Sequence, residues 1–282
     1  MKRLFALLLA LLLATACIAC RQATPPDPTD GTQPRPTDPT EPSETFPVDV
    51  PFTPIGSVKD YFQYALYAPP VGLDNIQYLF HEPIRATGKA YPLIIYLHGK
   101  GEALSLQNIG SASQLVNNLI ALENSMEAYS AYTLVPITPY GSEGQWKAWQ
   151  IDYLIKLIGE LIENHNIDPK RVYITGLSMG GYATCQLVNE MPTTFAAAVP
   201  LSGARQMVHP LHIKNTAFRI YHAANDPVVN VTCSRDLYQQ LLLYQHPKAE
   251  YFETPVGSHT STLSTAYGDP HFYIWLFNQR RP

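Results

Sequence analysis

An α/β architecture, with a mostly parallel central sheet flanked by helices on both faces, is predicted by two features of the 282-residue sequence. Short runs rich in β-branched and aromatic residues alternate with helix-length segments, the order that builds a parallel sheet covered on both sides. One run, YPLIIYL at residues 91–97, is apolar at every position, as a strand buried on both faces must be.

The elements follow in order. Strands are expected at residues 61–67, 91–97 and 132–137. Ile151, Leu154, Ile155, Ile158, Leu161 and Ile162 then recur with helical period and mark an amphipathic helix, which Asn166-Ile167-Asp168-Pro169 stops. RVYITG at 171–176 reads as a short strand, and residues 179–190 as a helix ended by Met191-Pro192. Strands at 196–201 and 218–223, a helix at 233–244, a strand at 250–254 and a closing helix at 271–279 complete the series. No internal repeat and no second folded domain is visible.

The N-terminal residues differ in kind. Residues 1–19 read as an export signal, because Lys2 and Arg3 precede an unbroken apolar run from Leu4 to Leu13. That run is about half the ~20 residues a membrane span needs. Leu13-Ala14-Thr15-Ala16-Cys17 resembles the bacterial lipoprotein box, with Cys17 as the lipidated residue and Cys20 as a second candidate. Acylation there would tether the chain to a membrane. Residues 20–50 are dominated by Pro, Thr, Asp, Ser and Glu and have almost nothing apolar to bury, so a disordered tether is expected. Residues 51–282 are left as one α/β domain.

The balance of 19 Lys+Arg against 23 Asp+Glu gives a net charge of −4, without the basic excess that nucleic-acid binding requires. Outside the signal only Cys185 and Cys233 remain, and no His/Cys group has metal-ligand spacing. The two thiols are read as separate, with a disulfide as the alternative.

The chemistry concentrates in three places. Gly176-Leu177-Ser178-Met179-Gly180 fits G-x-S-x-G and sits between a strand and a helix, where a tight elbow lifts a serine hydroxyl to a helix N-terminus. A serine hydroxyl is inert at neutral pH without a base and an oriented partner for that base. Asp226 follows the 218–223 strand in Asn225-Asp226-Pro227, and His259 follows the 250–254 strand in Gly257-Ser258-His259. Ser178, Asp226 and His259 thus stand in the order nucleophile, acid, base, each on a loop after a strand. The other eight histidines lack that placement. For an oxyanion, the backbone N–H of Met179 is one expected donor, and the turn His98-Gly99-Lys100-Gly101 supplies the second, with Lys100 preferred and Gly101 next.

Together YLHG at 96–99, GLSMGGY at 176–182, DPVV at 226–229 and GSH at 257–259 resemble the compact α/β hydrolases. The nearest set is the phospholipase/carboxylesterase-like and feruloyl/acetyl-xylan esterase-like enzymes, some of them labelled predicted peptidases. The resemblance spans about residues 58–281 and implies ester hydrolysis through an acyl-enzyme, without metal or cofactor. It implies a small-molecule or polysaccharide ester as substrate. The chain departs from the pattern after the HG turn, at Lys100-Gly101-Glu102-Ala103, and after His259, where Thr260-Ser261-Thr262 replaces an aromatic residue. Trp146 and Trp149 precede the 151–162 helix and are candidates for stacking on a sugar or aromatic acyl group, with packing of the helix start as the alternative. Two rival readings stay open: a serine peptidase of prolyl-oligopeptidase type using the same triad, and a non-catalytic surface binding protein.

Overall fold

The fully apolar run at Tyr91–Leu97 forms strand β3, and all seven of its residues are buried. Its side chains alternate between two cores, as the period of a strand requires. Leu93, Ile95 and Leu97 join one cluster, while Ile94 and Tyr96 join the other. The computed structural model describes residues 60–68, 75–84, 87–102, 108–138 and 149–282. The expected signal, the tether with Cys17 and Cys20, and Trp146 lie outside these residues.

The strands are β1 Gln63–Tyr67, β2 Ile76–His81, β3, β4 Tyr132–Ile137, β5 Ile167–Leu177, β6 Phe195–Leu201, β7 Ala217–Ala223 and β8 Ala249–Thr254. They form one sheet in the order β1-β2-β4-β3-β5-β6-β7-β8. The pairs β1/β2 and β2/β4 are antiparallel, and every other neighbouring pair is parallel.

Helices α1 Ser113–Ser125, α2 Ile151–Asn164, α3 Met179–Glu190, α4 Thr232–Leu243, α5 Ser261–Tyr267 and α6 Pro270–Phe277 cover the two faces. Leu154, Leu157, Ile158 and Leu161 of α2 share a core with residues of α3 and α4. Leu115, Val116, Leu119 and Ile120 of α1 share the opposite core with Phe272 and Tyr273 of α6. Burying an apolar side chain of this size is worth roughly 1.5–3 kcal/mol, so these two layers supply the main drive to fold.

Three elements were not expected from the sequence: β2, α1 and α5. One expected strand is longer than its pattern. β5 begins at Ile167 and runs through Pro169, where the sequence predicts only a helix stop. The strand tolerates that proline at an irregularity: Tyr91 pairs with Ile167, but Leu93 already pairs with Val172. The residues pushed out of register are held elsewhere, with Asp168 accepting from Lys170 N and ion-pairing to Arg280 at 2.6 Å. A bulge is where a strand can accommodate a residue with no N–H.

Candidate active site

The site is assembled at the carboxyl ends of four consecutive strands. Ser178 follows β5, Ser202 and Gly203 follow β6, Asp226 follows β7 and His259 follows β8. Because these strands are neighbours and parallel, loops far apart in sequence emerge side by side.

Ser178 sits at φ 57 and ψ −114, outside the regions comfortable for an L-residue. Such a conformation costs about 1–3 kcal/mol and persists only where the surroundings enforce it. Here they do. A Cβ at Gly176 would lie 2.6 Å from the Gly180 carbonyl oxygen, and one at Gly180 would fall on the carbonyl of Leu97. The G-x-S-x-G glycines therefore let the elbow close against the end of β3. Ser178 N donates to Leu201 O at 2.8 Å, and Ser178 O accepts from Tyr182 N inside α3. The serine is half-buried at the N-terminus of a 12-residue helix, where free N–H groups favour negative charge.

His259 Nδ1 lies 2.7 Å from Asp226 Oδ2. The other oxygen of Asp226 accepts from Val228 N at 2.8 Å and Val229 N at 3.0 Å. Burial alone would push this carboxyl up, but the His259 bond and the two backbone donors outweigh it and hold the group below its ordinary value. Asp226 is therefore an anion at neutral pH. It fixes the proton on Nδ1 of His259 and leaves Nε2 as the nitrogen able to take a proton. No hydrogen bond joins Ser178 Oγ to His259 among the described residues, and such contacts commonly tighten only when substrate binds.

Several partners of these groups were not singled out from the sequence. His222, at the end of β7, approaches Asp226 Oδ2 at 3.3 Å through Nε2 and meets Ser234 Oγ at 2.7 Å through Nδ1. Burial would lower its pKa, but the nearby Cys233 thiol, the Val229 carbonyl and Asp226 together raise it. Asn225 Oδ1 accepts from Gly257 N at 2.8 Å and ties the acid loop to the base loop. Ser202 Oγ and Thr262 Oγ1 are 2.9 Å apart and join the end of β6 to the start of α5, just behind His259. The clue for His222 was its place in AFRIYHA, a strand buried throughout, where a polar side chain must have a partner.

The HGKG turn is built as tightly. His98 is buried; its Nδ1 lies 2.7 Å from Gly99 O, and its Nε2 accepts from Thr138 N at 3.1 Å. The Thr138 bond requires a lone pair on Nε2, so the proton is on Nδ1 and donates to Gly99 O. Burial lowers the His98 pKa and matches this neutral form. Gly99 N donates to Glu102 Oε1 at 2.7 Å. Lys100 is exposed, and neither its backbone N–H nor that of Gly101 has a partner among the described residues.

Trp149 is only 8% exposed; its ring packs 4.7 Å from the His98 imidazole and its Nε1 donates to His98 O at 3.3 Å. These contacts pack it against the 98–101 turn, the alternative that the sequence left open for it. Cys185 and Cys233 are both free. Among the described residues no group of three His, Cys, Asp or Glu side chains is arranged to hold a metal ion.

A mostly parallel eight-stranded sheet with a strand–serine–helix elbow after β5, and an Asp–His pair on the loops after β7 and β8, is the α/β-hydrolase fold. A model of the prolyl oligopeptidase family matches residues 141–263. Poly(3-hydroxyalkanoate) depolymerase C of Paucimonas lemoignei is 30% identical over 138 residues, covering 46% of this chain and 31% of that protein. The bifunctional acetylxylan esterase/xylanase of Neocallimastix patriciarum is 29% identical over 154 residues, covering 50% of this chain and 21% of that one. Among solved structures, a thermostable esterase superposes with a TM-score of 0.66 at 30% identity, over 79% of this chain and 64% of that one. The chain thus spans a third or less of the length of these two curated relatives.

Proposed function

We propose that the chain is a serine hydrolase that cleaves carboxylic esters through an acyl-enzyme on Ser178. The observation that carries this reading is the 2.7 Å Asp226–His259 pair, on loops two and three strands from a serine held in a strained elbow at a helix N-terminus. In this mechanism His259 Nε2 takes the Ser178 proton as Oγ attacks the ester carbonyl. The oxyanion is received by the N–H groups of Met179 and Lys100. His259 then returns the proton to the departing alcohol, and water repeats the sequence to release the acid. Asp226 stays ionised throughout and steadies the imidazolium.

Acyl groups on plant-wall polysaccharide are the proposed substrate class, in line with the acetylxylan esterase among the relatives. The same reading places the enzyme outside the cell, exported by residues 1–19, lipidated at Cys17 and held off the membrane by residues 20–50. Loss of acyl label and of membrane association on Cys17→Ser, with activity retained, is the expected outcome for the anchor.

The test of the activity is hydrolysis of p-nitrophenyl acetate, p-nitrophenyl butyrate and methyl ferulate, with Ser178→Ala in parallel. Turnover abolished by the substitution, and a fluorophosphonate adduct mapped to Ser178, would support the esterase. The match to the prolyl oligopeptidase family favours a second reading, a serine peptidase with the same triad. Cleavage of a peptide substrate with no ester turned over would select it.

A further inference from the structure

A carboxylate stands beside the place where the esterase reading puts a developing negative charge. A Cβ built on Gly99 would lie 3.0 Å from Glu102 Oε1 and 3.7 Å from the Ser178 Cβ, so the turn is wedged between that acid and the nucleophile. By electrostatics alone this is the wrong charge for the position, and removing it would speed the reaction.

The hydrogen bonds say what the charge is used for. Glu102 Oε1 accepts from Gly99 N at 2.7 Å, Oε2 accepts from Ser111 N at 2.9 Å, and the Ser111 hydroxyl lies 2.7 Å from both oxygens. Ser111 in turn accepts from the buried Tyr96 hydroxyl at 2.5 Å. A line of bonds therefore runs from the core of β3 through Ser111 and Glu102 to the first peptide of the turn.

The next peptide is fixed from the other side. His98 Nδ1 donates to Gly99 O, and that carbonyl belongs to the same planar unit as the Lys100 N–H. In a trans peptide the N–H points opposite the carbonyl, so clamping Gly99 O and Gly99 N aims the Lys100 N–H. The carboxylate pins one plane and the imidazole the next.

We propose that Glu102 is a positioning residue: by capturing Gly99 N and Ser111 it holds the 98–102 turn in the one conformation that presents Lys100 N–H to the oxyanion. This rests on the esterase reading above. Gln at this position has one acceptor oxygen where Glu has two, and its amide N–H groups would face donors. The turn then loses its tie, although the fold around Tyr96 and Ser111 stays.

The test is steady-state hydrolysis of p-nitrophenyl butyrate by full-length wild type, Glu102→Gln and Ser111→Ala. Inhibition by an aryl trifluoromethyl ketone, which adds to a serine to give a tetrahedral oxyanion, is measured beside it. For Glu102→Gln the expected result is a fall in kcat of about 100-fold, the scale of a lost oxyanion donor. The inhibition constant should rise by a similar factor, with KM within about threefold, since ground-state binding does not use this donor. Ser111→Ala should fall between wild type and Glu102→Gln. A Glu102→Gln enzyme as fast as or faster than wild type would overturn the proposal. If that variant does not fold, Ser111→Ala decides, and unchanged kcat and inhibition in it overturn the proposal equally. Ester hydrolysis absent from wild type, or surviving in Ser178→Ala, counts first against the esterase reading and with it against this one. Ser178-dependent hydrolysis indifferent to Glu102 counts against this one alone.

Discussion

His259 and Asp226 are joined by a 2.7 Å hydrogen bond across 33 residues of sequence, and the second oxygen of Asp226 is spent on the backbone of its own loop. The Asp226 carboxylate is thus held by its own loop, and its bond to Nδ1 sets which nitrogen of the His259 imidazole carries the proton.

Asp226→Asn keeps the shape and removes the charge. The amide presents either an oxygen or an NH₂ to His259, and the tautomer that leaves Nε2 free is no longer imposed. A fall in kcat of about 10⁴-fold is expected, with the enzyme still folded by circular dichroism.

Ser178→Gly relieves the strained elbow, since glycine adopts a positive φ without a Cβ clash. The strain of about 1–3 kcal/mol is partly offset by the extra freedom glycine gives the unfolded chain. A rise in Tm of about 2–4 °C, the equivalent of roughly 1 kcal/mol at this size, should accompany complete loss of ester turnover. Calorimetry of wild type, Ser178→Gly and Ser178→Ala separates strain relief from loss of the hydroxyl.

Two buried histidines of the site should respond to pH with opposite sign. Burial lowers the pKa of His98 from 6.5, so its contribution to stability is complete above 6.5 and is lost as pH falls toward the folded value. For His222, burial is outweighed by Cys233, Val229 and Asp226, which raise its pKa above 6.5. Its contribution is complete below 6.5 and is lost as pH rises through the folded value. Denaturant unfolding at pH 5.5 and pH 8 should therefore find His98→Gln costlier at pH 8 and His222→Gln costlier at pH 5.5. Equal costs at both pH values for either variant would contradict the assigned direction.

Far from the site, His81 Nε2 meets Glu123 Oε2 at 2.7 Å, and both side chains are almost wholly buried. Its Nδ1 reaches Tyr61 O at 2.9 Å, while Glu123 Oε1 accepts from Ile84 N at 2.7 Å. His81→Ala leaves the buried Glu123 Oε2 without its partner and should cost about 1–3 kcal/mol of unfolding free energy. At temperatures where the variant stays folded, kcat should equal that of wild type.

The sequence reading succeeded where a residue's own chemistry or period announced it. The uninterrupted apolar run of β3, the 3.6-residue period of α2 and the elbow glycines each carry their meaning locally, and the structure brings Asp226 and His259 into contact. It failed where the signal lay in a partner. Helix α1 has a helical period in Leu115, Val116, Leu119 and Ile120, but no capping side chain marks its start and Asn118 interrupts its apolar face. That asparagine is buried because its amide donates to Tyr267 O, a carbonyl 149 residues away. Glu102 looked like a departure from a family pattern, and only the positions of Gly99 and Ser111 reveal what it binds. His222 lacks the loop placement of His259, and only the fold shows that it approaches Asp226. Pro169 read as a terminator because register shifts between strands leave no trace in one strand's sequence.

β8 is one of the two edge strands of the sheet, with every residue at least partly open to solvent, and the loop it carries brings His259. The proposed nucleophile, Ser178, thus follows an inner strand of the sheet and the proposed base, His259, an edge strand. Fraying of that edge would unseat the base while seven strands stay intact, so warming should silence the enzyme reversibly several degrees before the far-ultraviolet signal melts.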